Sequence, residues 1–245
     1  MPEHSLIQTR YDALRERLAS ACATAGRDPG EVALLAVSKT RGADEVAALH
    51  ALGQRAFGEN YVDEACAKQA ALAALEPAPA WHFIGPIQSN KTRRIAERFD
   101  WVHSIDRAKI ARRLADQRPS ERGPLNVLIQ VNVDAEAQKA GCRPDELDAL
   151  ADRVAGHDAL VLRGLMAIPA PRDDAEAMRP AFACLRECFE ALARHHPRLD
   201  TLSMGMSDDL EAAIAEGATL VRVGTALFGP RPPRPAADGA VESTS

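Results

Sequence analysis

Val32-Ala33-Leu34-Leu35-Ala36-Val37-Ser38-Lys39-Thr40 is an apolar run that ends on a lysine. With the helix-like stretch Ala43–Leu52 behind it, the run reads as a buried strand feeding a helix. Outward from it, the same alternation fills the chain. Upstream, Ile7, Tyr11, Leu14, Leu18, Cys22 and Ala25 recur at three- and four-residue steps and Gly26 ends the pattern, which predicts one helix. Downstream, further strand patterns fall at 55–60, 81–85, 101–105, 125–132, 160–168, 201–205 and 220–224. Helical patterns lie between them near 61–75, 88–98, 107–117, 144–155, 174–195 and 208–216, and Pro144 with Asp145 and Glu146 is a helix-start signal. Eight strand patterns with intervening helices and no break in composition predict an α/β chain closed as a single parallel (β/α)8 TIM-type barrel, with an extra helix at its amino end. The alternative is a doubly wound open sheet, but no GxGxxG follows the first strand. Residues 1–229 form the expected barrel, and the Pro-rich stretch 230–245 reads as a disordered tail.

A parallel barrel does its chemistry at the carboxyl ends of its strands. Polar residues collect there: Lys39, Glu59 and Asn60, Ser104 and Asp106, Asn132, Ser203, and Arg222 with Thr225. Taken alone, Lys39 reads first as a surface lysine just past a strand end. Its functional reading is an amine in a partly desolvated site, neutral and nucleophilic near pH 7, as imine formation with a carbonyl requires. Arg222 interrupts Leu220-Val221-Arg222-Val223-Gly224 and shares a strand face with Leu220 and Gly224. A buried guanidinium needs a partner. It either faces the outer helices and a carboxylate, or points into the barrel mouth at an anion or an aromatic nitrogen. Loops after the seventh and eighth strands of such barrels often hold phosphate. The Gly224 and Thr225 amides and the Thr225 hydroxyl suit that task, with Ser203 as a further donor. Ser207 reads either as a donor or as a plain N-cap for a helix starting at Asp208.

Several function classes are disfavoured. The net charge of −5 argues against a dedicated nucleic-acid binder, and the basic cluster Lys91, Arg93 and Arg94 reads as a solvated helix face. The five cysteines show no CxxC or Cys/His zinc spacing, which fits reduced thiols and a cytoplasmic setting. The start Met1-Pro2-Glu3-His4-Ser5 lacks the pattern of a signal peptide, and no apolar run is long enough to span a bilayer. There is no HExxH, P-loop or GxSxG.

Longer motifs carry a resemblance. Ala36-Val37-Ser38-Lys39-Thr40, Phe57-Gly58-Glu59-Asn60-Tyr61, Trp81-His82-Phe83-Ile84-Gly85-Pro86-Ile87-Gln88-Ser89-Asn90-Lys91, Leu202-Ser203-Met204-Gly205-Met206-Ser207 and Arg222-Val223-Gly224-Thr225-Ala226-Leu227-Phe228-Gly229 occur in unbroken order. The chain resembles the pyridoxal-phosphate homeostasis proteins, which are similar to the amino-terminal barrel of alanine racemase. That resemblance implies a fold-type III barrel with pyridoxal 5'-phosphate (PLP) as cofactor. It implies an aldimine on Lys39, Arg222 facing the pyridine nitrogen, and Ser203, Ser207, Gly224 and Thr225 in the phosphate-holding segments. Asn60, His82 and Met166 match the pocket lining.

Two functions then compete: storage, buffering or delivery of PLP, with PLP-dependent apoenzymes as partners, or amino-acid racemisation. Racemisation needs an electron sink and a base on each face of the substrate carbon. Racemases bring the second base, a tyrosine, from another domain and a dimer partner. Sixteen residues follow Gly229, so that domain is not expected here and a monomer is. Tyr11 and Tyr61 are the only tyrosines, and Tyr61 reads as a packing residue at a helix start. The fixed charge of Arg222 disfavours a protonated pyridine nitrogen, which weakens the sink. Both points favour the binding reading.

Overall fold

The computed structural model describes residues 2–230 except Ala135, Ala137, Gln138 and Asp173, with no account of the side chains at 2–4. The expected tail therefore lies, apart from Pro230, outside the described residues. Eight parallel strands close into a barrel in sequence order, β8 pairing with β1. They are β1 (Ala33–Val37), β2 (Ala56–Glu59), β3 (Ala80–Phe83), β4 (Trp101–Ile105), β5 (Leu125–Gln130), β6 (Leu160–Met166), β7 (Thr201–Ser203) and β8 (Leu220–Val223). The outer layer consists of α1 (Pro2–Thr24), α2 (Ala43–Ala51), α3 (Val62–Ala71), α4 (Thr92–Arg98), α5 (Ala108–Gln117), α6 (Leu147–Ala155), α7 (Ala175–Ala193) and α8 (Leu210–Ala215). A short α9 (Thr225–Phe228) follows β8 directly.

The main core lies between strands and helices, as the strand alternation requires. Leu34 and Ala36 of β1 face it, with Val46 and Leu49 of α2 and Val221 and Val223 of β8. The other face of the strands fills the barrel itself. Leu35, Ile84 and Leu220 make a small apolar plug there, with Val37 and Ala56 against it. Opposite that plug the interior is polar, holding His82, His103, Ser203 and Arg222, all buried.

The elements follow the sequence pattern, with shorter strands. β1, β2 and β5 stop short of Lys39, Asn60 and Asn132, whereas Ser203 and Arg222 lie within β7 and β8, and β4 keeps its expected bounds. Two helix starts differ. Gln88–Lys91 forms a turn closed by the Lys91 amide on the Gln88 carbonyl, at 2.9 Å, so α4 begins only at Thr92. α8 begins at Leu210 rather than Asp208, with Asp209 at the cap position and its carboxylate accepting the Met206 amide at 2.6 Å. Pro144 opens a 3-10 turn (Pro144–Glu146) that runs into α6.

Candidate functional site

Strand parity brings the site together. Along β1 the inward face runs through Leu35 and Val37, and the same parity carries Lys39 to the cavity just past the strand end. Along β8 it runs Leu220, Arg222, Gly224. β2 contributes Asn60, and the loop after β7 contributes Ser207. These residues and Thr225 line a cavity of about 190 Å³ at the carboxyl end of the barrel. An apolar cavity of about 150 Å³ already accepts a benzene ring, so this one has room for a compact single-ring ligand.

Two close approaches shape the walls. A Cβ at Gly85 would lie 2.4 Å from the Asn60 carbonyl oxygen, so the glycine lets the β3 end pass against Asn60. A Cβ at Gly224 would come within 3.2 Å of the Val37 carbonyl oxygen, at the seam where β8 meets β1.

Arg222 is buried and its guanidinium binds inside the barrel. Nη1 donates to the Ser203 carbonyl at 2.7 Å and the Ser203 hydroxyl at 2.8 Å, and Nη2 donates to the Ala167 carbonyl at 2.9 Å. Among the described residues no carboxylate pairs with it. Burial lowers its pKa to about 10, with Asp209 opposing, so it stays cationic at neutral pH. Behind it runs a buried polar chain. Ser203 Oγ lies 3.2 Å from His103 Nδ1, and His103 Nε2 lies 2.9 Å from His82 Nδ1. The His82 ring stacks on Trp101 at 5.2 Å between centroids. Burial pushes His82 down to about 3, and burial, His82 and Arg222 hold His103 well below the usual histidine range. Both rings are neutral at physiological pH.

Six of the nine residues expected from the sequence line the cavity: Lys39, Asn60, Ser207, Arg222, Gly224 and Thr225. Ser203, His82 and Met166 do not. The Ser203 side chain is engaged by Arg222 and His103, and His82 turns toward Trp101 at the start of β4. Met166 is fully buried at the end of β6, beside Ser203 in the ladder. Ser207 is not a helix cap: its hydroxyl accepts the Ala226 amide at 3.4 Å, which sets it beside the start of α9. Neither α9 nor Arg41 is visible in the sequence pattern. Arg41 lines the cavity and donates to the Gly229 carbonyl at 2.6 Å. It lies in the loop after Lys39, where strand parity no longer applies.

The donor set has a definite complement. The hydroxyls of Ser207 and Thr225, with the Thr225 amide at the start of α9, suit an anionic group. Arg222 suits an acceptor inside the ring of strands. Asn60 Oδ1 is buried and has no hydrogen-bond partner among the described residues, so it calls for a donor from a ligand. With the Lys39 amine, these groups fit an anionic carbonyl compound with a nitrogen ring, as PLP is. Fold and site together define a parallel barrel built to take such a cofactor at its carboxyl end.

Comparison with known proteins agrees. Residues 10–232 match the family described as alanine racemase, N-terminal domain. The pyridoxal phosphate homeostasis protein of Pseudomonas aeruginosa is 61% identical over 227 residues, 93% of this chain and 96% of the relative. Its counterpart in Escherichia coli K12 is 50% identical over 233 residues, again 93% of this chain and 96% of the relative. PipY of Synechococcus elongatus, in a structure described as having PLP bound, superposes with a TM-score of 0.75 at 40% identity, covering 86% of this chain and 100% of PipY. The chain belongs to the family of pyridoxal phosphate homeostasis proteins.

Proposed function

We propose that this protein binds PLP at the mouth of its barrel and acts in PLP homeostasis, by storing, buffering or delivering the cofactor. One observation carries the reading: Lys39, Arg222, Asn60, Ser207 and Thr225 converge on a single cavity at the carboxyl end of the barrel. The relatives named for PLP homeostasis and the PLP described in PipY support it. When bound, the cofactor supplies an aldehyde able to condense with a primary amine. Lys39 presents that amine. Ser207, Thr225 and the backbone at Gly224 hold the phosphate, Arg222 faces the ring nitrogen, and Asn60 accepts a hydrogen bond from the ligand. Ser203, His103 and His82 hold Arg222 from behind. The protein acts in the cytoplasm, where its five free cysteines stay reduced. It works as a monomer and passes its cofactor to PLP-dependent apoenzymes. No helix among the described residues is long and apolar enough to cross a membrane.

The test is chemical trapping. Borohydride reduction of the PLP-loaded protein, followed by peptide mapping, should place the label on Lys39, and Lys39→Ala should abolish it. Undiminished labelling of Lys39→Ala would refute the assignment.

A further inference from the structure

Lys68 lies on α3, does not line the cavity, and is the only lysine buried among the described residues. Its ammonium donates to the Ser38 carbonyl at 2.5 Å, to Glu59 Oε1 at 2.7 Å and to Glu64 Oε1 at 2.6 Å. An ammonium has three donors, so all are in use. The two carboxylates pass the grip on. Glu59 Oε1 also accepts the Ser38 hydroxyl at 2.6 Å, and Glu64 Oε1 accepts the Thr40 amide at 2.6 Å. The residues immediately before and after Lys39 are thus held by one buried network. Thr40 has φ of 65°, a left-handed conformation that a β-branched residue rarely takes and keeps only when its surroundings impose it.

A buried ion pair is a weak source of stability, because desolvation offsets much of the attraction. Glu59 shows that cost: it is fully buried, its Oε2 has no partner among the described residues, and burial pushes its carboxyl above the usual range against Lys68 and Ser38. What the network does secure is geometry at residues 38 to 40.

We propose that Lys68, with Glu59 and Glu64, is a positioning group that holds the Ser38–Thr40 backbone so that the Lys39 amine meets the carbonyl of a bound ligand. The inference rests on the reading of Lys39 given above. In that condensation the amine nitrogen bonds to the aldehyde carbon and the aldehyde oxygen leaves as one water, taking both amine protons. No oxidant or reductant takes part. Lys68 touches neither reacting atom and acts only through the backbone.

The test uses Glu64→Ala, which releases Thr40 at a side chain 30% exposed, and Glu64→Gln, which keeps an oxygen for the Thr40 amide. The double variant Lys68→Met/Glu59→Leu removes the buried pair and leaves Glu64, whose side chain is 30% exposed, to be solvated. Two quantities are read on each folded protein: the rate of borohydride-trappable linkage with PLP, and the affinity for pyridoxine 5'-phosphate, which has the ring and phosphate but no aldehyde. Glu64→Ala and the double variant should capture PLP about tenfold more slowly or worse, while holding pyridoxine 5'-phosphate as wild type does. Glu64→Gln should recover most of the rate. Wild-type capture rates in both Glu64→Ala and the double variant would overturn the positioning role. So would losses in capture and pyridoxine 5'-phosphate affinity of the same size, since those report a damaged cavity. If wild-type protein traps nothing on Lys39, the reading of Lys39 itself fails, and the positioning role falls with it.

Discussion

Arg222 brings a full charge into the barrel with only carbonyl and hydroxyl oxygens around it. The remaining guanidinium donors face the cavity side, where a ring nitrogen with a free lone pair fits. A charge-assisted hydrogen bond is worth about 1.5–3 kcal/mol, so Arg222→Gln should weaken PLP binding by about tenfold or more and shift the absorption band of the bound cofactor. Titration followed by absorbance checks both. An unchanged spectrum and affinity would put Arg222 outside the ligand's reach. Behind it, His82 and His103 are neutral in the folded state because burial lowers their pKa, whereas both titrate near 6.5 when unfolded. The unfolded chain therefore binds more protons below pH 6.5. Stability is fully present above that pH and is lost as pH falls toward the folded value, which for His82 is about 3. The loss is about 1.4 kcal/mol per pH unit for each ring. Urea titrations at pH 7 and pH 5 should show it, and His82→Gln should flatten the dependence. An identical slope in the variant would mean that His82 does not carry the effect.

At the scale of elements, the loops at the mouth matter more than the strands. Gly85, just past the end of β3, lies against the Asn60 backbone, and the methyl group of Gly85→Ala would meet main chain rather than a flexible side chain. Overpacking of this kind costs about 1–3 kcal/mol, and here the displaced segment carries Asn60 into the cavity wall. Gly85→Ala should lower the urea midpoint and weaken PLP binding together. A loss of stability with full affinity would show that Asn60 tolerates the shift. The helices were legible where an apolar stripe repeated, as in α7, whose Met178, Phe182 and Leu185 are buried. Lys68 was not legible. A lysine on the buried stripe of α3 beside Val62 and Ala65 gives no local sign of its partners, and only the packing of α3 brings the ammonium to Ser38 and Glu59. Ser207 was left open by the sequence because a serine before two aspartates fits a cap as well as a donor. Asp209 occupies the cap position and its carboxylate accepts the Met206 amide, which leaves Ser207 for the cavity.

For the whole molecule, barrel closure decides the function. It seats β8 beside β1, so residues 39 and 222 meet although 183 positions separate them in the chain. With Arg222 facing the ring nitrogen as proposed, its charge at neutral pH would disfavour protonation of that nitrogen and leave a weak electron sink. PLP-loaded protein incubated with single-enantiomer alanine should preserve optical purity as well as free PLP does, while an added apoenzyme should regain activity by taking up the cofactor. Racemisation well above the rate with free PLP would overturn the homeostasis reading in favour of an enzyme.

The order of strands and helices, and the shared strand face of Leu220, Arg222 and Gly224, were determined by the sequence itself, while the inward turn of that face was not. Apolar spacing is a local property, and it reports which side of an element is buried. The tertiary structure alone decided which polar residues line the cavity. Ser203 and His82 are drawn into a buried chain behind Arg222, and Lys68 is turned toward the backbone that carries Lys39. Those outcomes depend on partners 9 to 100 residues away, and a hydrogen bond across such distances exists only once the barrel has closed.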